Sequence, residues 1–135
     1  QAPVFARNDR LYTTTIDAGP HTVRLRGKID GLRAGEDSTL RLVEHKRRQR
    51  RFFPVVPIYE RVQCHVYMRM LDVAVCEHVE TLKDEHRATD IHFDDATWND
   101  IVQRLHAFLD RFISARTERF DTVNALVTRV FGAVE

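Results

Sequence analysis

Residues 39–46 read TLRLVEHK and run on through RRQRR to residue 51. Leu40 and Leu42 alternate with Arg41 and Val43, the period of two that marks a β-strand. Side chains at i and i+2 of a strand share a face, so Glu44 and Lys46 project together. Five cations then fall within six positions, Lys46 to Arg51. Such a stretch is either a solvated surface strand or the edge of a phosphate-cleaving site. Directly after it the period changes. Pro54 and Pro57 punctuate the chain, and Ile58, Val62, Val66 and Met70 recur at helical spacing over 58–71.

Working outward, strands are expected at 10–16 (RLYTTTI), 21–30 (HTVRLRGKID) and 39–46, joined as an antiparallel meander. Ala18-Gly19-Pro20 makes the first turn, and residues 31–38, rich in glycine and charge, form the loop before the third strand. Beyond the helix, 72–82 and 87–93 read as two further strands. Asp94 and Asp95 suit the cap of a long amphipathic helix through Trp98, Ile101, Leu105, Phe108, Phe112 and Ile113. A second amphipathic stretch follows at 120–134. The order βββ-α-ββ-α predicts an α/β (α+β) fold. A mixed central β-sheet with an antiparallel meander is flanked by helices in one domain over 1–135, and the C-terminal helices of 94–135 pack on the sheet.

The 135 residues suit a single core, and 43% apolar with 30% charged residues is the composition of a globular protein. No run of about eighteen apolar residues is present, so no membrane contact is expected. The net charge is only +1, but it is uneven: 41–51 is basic and 77–95 carries many acids. A basic patch on a neutral protein suits nucleic acid. Two cysteines, Cys64 and Cys76, point to a reducing, intracellular compartment (cytoplasm, nucleus or mitochondrion, with a viral origin equally compatible) and are too few for a four-cysteine zinc or iron–sulfur site. The seven histidines form no HxxxH or comparable pair, so no zinc site is assigned.

Two more places carry chemistry. Asp30 ends a strand between Gly27 and Gly31, where glycines permit close backbone approach; it is either an exposed site carboxylate or the start of a turn. Pairing its strand with 39–46 would bring Asp30 to Glu44, and two carboxylates that close repel unless a cation lies between them. Gln63 and Tyr67, at i and i+4, share a helix face with Tyr59, and an amide and a phenol can bond phosphate or stack on a base.

Gly27-Lys28-Ile29-Asp30, then Glu44-His45-Lys46, then Gln63-Cys64-His65-Val66-Tyr67 resembles, in order and spacing, the PD-(D/E)XK nuclease superfamily, most closely its RecB-like and phage lambda exonuclease-like branch. The resemblance covers roughly residues 22–80. It implies a restriction-endonuclease-like core and a Mg²⁺- or Mn²⁺-dependent deoxyribonuclease of DNA repair, recombination or replication. It also implies roles: Asp30 and Glu44 as metal ligands with the backbone carbonyl of His45, and Lys46 as the group that positions water or steadies charge. Gln63 and Tyr67, with Arg47, Arg48, Arg50 and Arg51, would contact DNA, RNA not being set aside. The branch usually carries an earlier helix bearing a glutamate, and no residue here answers to it. The expectation is a domain cut from a longer chain or an incomplete site. Relatives with an iron–sulfur cluster use four cysteines, so no cluster is expected. The alternative is a module of nuclease fold that binds nucleic acid without cleaving it.

Overall fold

The computed structural model describes residues 6–7 and 10–131. In chain order the elements are β1 (Ala6–Arg7), β2 (Leu11–Ala18), β3 (His21–Lys28), β4 (Gly31–Ala34), β5 (Leu40–Arg47), α1 (Ile58–Leu71), β6 (Val75–Leu82), β7 (Glu85–His92) and α2 (Asp95–Phe131). Five strands form one sheet in the order β1-β4-β5-β6-β7. Only β5 and β6 are parallel, because α1 crosses between them; strands joined by short turns return antiparallel. The result is a mixed sheet flanked by helices.

The meander differs from expectation. β2 and β3 pair with each other from Leu11↔Lys28 to Ala18↔His21 as a separate two-stranded sheet. The partner of β5 is β4, four residues within the segment expected to be a loop, paired Gly31↔Val43 to Ala34↔Leu40. So short a strand, opening on glycine, carries too little alternation to stand out. The chain therefore changes sheets at Ile29-Asp30. At the hairpin tip Gly19 has φ +61° and is followed by proline, the pattern of a type II′ turn, which demands glycine at its first central position.

Leu42, Val43 and Glu44 are all buried, since a strand inside a mixed sheet is covered on both faces. Leu42 packs with Ile29, Val56, Cys64, Met68, Cys76 and Ile91 into the core, which Tyr12, Tyr67 and Phe93 border. Each fully buried side chain of this size contributes about 1.5–3 kcal/mol. Both cysteines are free thiols there, and the bond to Cys64 together with burial holds Cys76 protonated.

α1 has the expected bounds but not the expected buried face. It turns Glu60, Cys64, His65 and Met68 inward, and leaves Ile58 70% exposed. Polar residues can hold that face because each has a partner. His65 Nδ1 lies 2.8 Å from the Arg61 carbonyl, and its Nε2 accepts from the Asp94 amide at 3.2 Å. Glu60 belongs to a buried ionic cluster. Arg48 donates to both its oxygens at 2.9 and 2.7 Å and to Glu80 at 2.8 Å, while His78 Nε2 lies 2.8 Å from Glu60. The α1 C-terminus closes where Asp72 takes the left-handed conformation (φ 54°), so β6 begins at Val75 and not at 72.

Asp94 caps α2, its Oδ2 accepting from the Thr97 amide at 2.8 Å. The two expected C-terminal stretches are one helix of 37 residues. Nothing between Ile113 and Phe120 is proline or glycine, so nothing stops it. Its first turns pack through Trp98, which is buried against Phe93. Its later apolar residues, among them Phe112, Phe120, Val123 and Leu126, are exposed. Among the described residues no helix is long and apolar enough to cross a membrane.

Arg48 is 10% exposed in its side chain, and removing it takes the guanidinium from two buried carboxylates, leaving Glu60 with His78 alone. Arg48→Ala is expected to cost about 3–5 kcal/mol. Arg24→Ala, on an exposed strand position, should change stability by less than about 0.5 kcal/mol. Urea unfolding of the two variants measures the difference, and equal midpoints would refute the structural role of the cluster.

Candidate active site

Gly27 is where β3 meets the ring of Tyr67. A Cβ there would lie 2.6 Å from Tyr67 Cε1, so any larger residue would push the strand off the helix. Two residues on, Ile29 is 3% exposed and anchors the bend in the core. Asp30 then projects outward. The register Gly31↔Val43, continued by one residue, sets Asp30 opposite Glu44. One hydrogen bond joins them, the Asp30 amide donating to Glu44 Oε1 at 3.4 Å, and the His45 amide next along β5 donates to Asp30 Oδ2 at 2.8 Å.

Glu44 and Lys46 share a face, as the period of two requires, with Lys46 Nζ 3.8 Å from Glu44 Oε2. Lys46 Nζ also donates to Gln63 Oε1 at 2.6 Å, and Gln63 Nε2 donates to the Tyr67 hydroxyl at 3.4 Å. The groups therefore close a ring from Gly27 through Asp30, Glu44, Lys46, Gln63 and Tyr67 back to Gly27. The intervening His45 points its imidazole the other way, to Thr81 Oγ1 at 2.6 Å. Tyr59, on the same helix row, is 67% exposed and outside the ring.

Glu44 is 3% exposed. Burial, and then the nearby charge of Asp30, raises its pKa from 4.5 to about 7; Lys46 and the Asp30 amide oppose the shift. Two carboxylates and the Lys46 amine thus converge on the central strand β5 where β4 begins beside it, with one carboxylate reluctant to ionise. A hard divalent cation binds through carboxylate and carbonyl oxygens and would relieve the repulsion between Asp30 and Glu44. The donor set fits such an ion, with Lys46 adjacent.

The basic segment divides. Arg47, Arg50 and Arg51 are exposed. Arg48 departs from the expectation set with them. Its guanidinium is spent on Glu60 and Glu80 and lies 4.5 Å from the Phe53 ring centre, so it is a structural cation, not a phosphate contact. The cluster that holds it escaped the sequence reading. The available signal was Cys76, His78 and Glu80 at a period of two, which puts two titratable groups on the same strand face as a core cysteine.

Among solved structures, an alkaline exonuclease from Laribacter hongkongensis aligns with a TM-score of 0.55 at 18% identity, over 93% of this chain and 64% of that one. The protein SSO0001 aligns with a TM-score of 0.57 at 18% identity, over 70% of this chain and 45% of its own. What they share with this chain is the fold. The chain spans less than two thirds of either protein. No protein-family model matches the sequence, and no curated protein matches it.

The displaced pKa of Glu44 makes stability depend on pH. The folded state keeps this proton to about pH 7 while the unfolded chain releases it near 4.5, so stability falls as pH rises across that window. The cost is about 3 kcal/mol by pH 8, at about 1.4 kcal/mol per unit. In metal-free buffer, Glu44→Gln should be more stable than the parent at pH 8 by an amount of that order and nearly equal to it at pH 4. Urea unfolding at the two pH values reads this, and a variant less stable at pH 8 contradicts it.

Proposed function

We propose that this chain is a metal-dependent nuclease domain that hydrolyses phosphodiester bonds in DNA, with exonuclease-like action. The observation that carries the reading is the convergence of Asp30, Glu44 and Lys46, with Lys46 held by Gln63 at 2.6 Å. Likeness of fold to an alkaline exonuclease supports the same reading, as does the ordered resemblance of the three motifs to PD-(D/E)XK nucleases.

In this reading Asp30 and Glu44, with the His45 carbonyl, hold Mg²⁺ or Mn²⁺. The bound ion supplies Lewis acidity at the phosphoryl oxygen and eases deprotonation of water. Lys46 orients the attacking water and offsets the negative charge that grows on the phosphoryl oxygens. Its bond to Gln63 keeps the ammonium from collapsing onto Glu44, and Tyr67 fixes Gln63 in turn. Gln63 and Tyr67 also face the substrate backbone. Arg47, Arg50 and Arg51 contact phosphates outside the reacting position, where each neutralised phosphate releases condensed counterions.

Asp30→Asn and Lys46→Ala should each lower Mn²⁺-supported cleavage of linear duplex DNA by at least about a hundredfold while the chain stays folded. Unaltered rates in both would remove these residues from the chemistry. Calorimetric titration with Mn²⁺ separates the steps. Binding that saturates in the parent and disappears in Asp30→Ala/Glu44→Ala places the ion on this pair; binding without cleavage favours a module that holds DNA and does not cut it. Replacing Arg47, Arg50 and Arg51 together by alanine should reduce the slope of log affinity against log salt by about 2–3. An unchanged slope would take the basic segment out of the interface.

A further inference from the structure

A second group of metal-ligating side chains lies at the other end of the β2–β3 hairpin. His21 follows the Gly19-Pro20 turn, and His106 and Asp110 stand at i, i+4 on α2. Sequence spacing gave no ligand pair because the partner of each histidine is a carboxylate, and His21 and Asp110 are 89 residues apart. His21 Nε2 lies 2.7 Å from Asp110 Oδ1, and His106 Nε2 lies 3.2 Å from Asp110 Oδ2. All three ligand atoms fall within 4.8 Å of one another. We infer that His21, His106 and Asp110 form a three-ligand site for a borderline-soft divalent ion of the Zn²⁺ class, clamping the hairpin tip to α2.

Four features of the fold favour this occupant. First, the donor set is two imidazoles and one carboxylate, the N/O set that zinc takes tetrahedrally with a water in the fourth position. Ligands about 2.0–2.1 Å from a tetrahedral centre sit roughly 3.3 Å apart, so small side-chain shifts suffice to close the group around an ion. Second, the imidazoles meet edge to face at 67° with centroids 5.7 Å apart, and a ligand nitrogen of each lies within 4.8 Å of the other. Third, the turn is cut to fit. A Cβ on Gly19 would lie 2.3–2.5 Å from three atoms of the His106 ring, so the glycine that the turn needs for its positive φ also makes room for the second ligand. Fourth, the two imidazoles are partly sheltered, His21 21% and His106 37% exposed in their side chains, while Asp110 at 55% keeps the site open to solvent and to an entering ion.

The ion would differ in kind from the one proposed at Asp30 and Glu44. Imidazole nitrogens select zinc, copper or nickel, whereas an all-oxygen set suits magnesium and manganese. The two places are also apart. His21 and Lys28 are the ends of one strand, seven residues or about 23 Å at 3.3 Å per residue. The clamp therefore shares no ligand with the nuclease-like site and does not depend on its assignment. Its effect is on α2, whose side chains over residues 111–129 are exposed, so among the described residues the clamp marks the end of the helix's attachment.

The test uses the whole chain, with Zn²⁺ and Co²⁺ as probes in excess Mg²⁺. The parent and Asp30→Ala/Glu44→Ala should each take up one equivalent of Zn²⁺, show a rise in Tm, and give the visible absorption of tetrahedral Co²⁺. Asp110→Asn keeps the size of an exposed side chain and should fold, yet lose at least about tenfold in Zn²⁺ affinity together with the Co²⁺ spectrum. His106→Gln should behave likewise. Overturning results are a parent that takes up no Zn²⁺, an Asp110→Asn variant that retains parental affinity, or uptake that disappears in Asp30→Ala/Glu44→Ala.

Discussion

Arg48 holds α1 against the sheet. Its guanidinium bonds both oxygens of Glu60, in the first turn of the helix, and one of Glu80 on β6. One turn beyond Glu60, Gln63 then stands over β5 within 2.6 Å of Lys46, and one turn further Tyr67 meets Gly27. The placement of every group in the ring that joins β3, β5 and α1 depends on where this helix begins. A buried ionic cluster is a costly way to fix a helix, since the ions must be desolvated. It does fix the helix against rotation, because a fork of nitrogens meets a carboxylate in few orientations.

The cluster also bears on the charge of the site. Glu60 is among the groups that raise the pKa of Glu44, behind burial and Asp30. Arg48 and His78 hold Glu60 ionised despite its burial, so it remains an anion close to the buried Glu44. The sheet thus concentrates negative charge along β5 and α1 and answers it with one buried arginine and one lysine. Such a field disfavours the ionised form of Glu44 and would be relieved by a cation beside Asp30 and Glu44.

Some of this was legible in sequence and some was hidden by physical causes. The bounds of α1 followed from Pro57 and the change of period, and the shared face of Glu44 and Lys46 followed from strand geometry alone. Asp94 as a cap was equally local. The partner of β5 was not legible, because a four-residue strand opening on Gly31 reads as a loop. The buried face of α1 was misjudged for a different reason: hydrophobicity marks the core only when buried polar groups are absent, and Glu60 and His65 are buried with partners that include Arg48, His78 and Asp94 on other elements. Arg48 was indistinguishable from its neighbours, since composition does not reveal which member of a basic run turns inward. The group at His21, His106 and Asp110 required the tertiary fold.

The parallel pairing of β5 with β6 has a consequence for how the chain matures. From Gly27 to Tyr67 every member of the ring lies in one continuous stretch, and all of it is synthesised before β6, the strand that pairs Glu44 with His78. A parallel neighbour cannot zip up from a hairpin; it must wait for the crossover helix and then for its own residues. Until residues 75–82 dock, β5 lacks the neighbour that sets His78 beside Glu44, and the burial that chiefly raises the Glu44 pKa is incomplete.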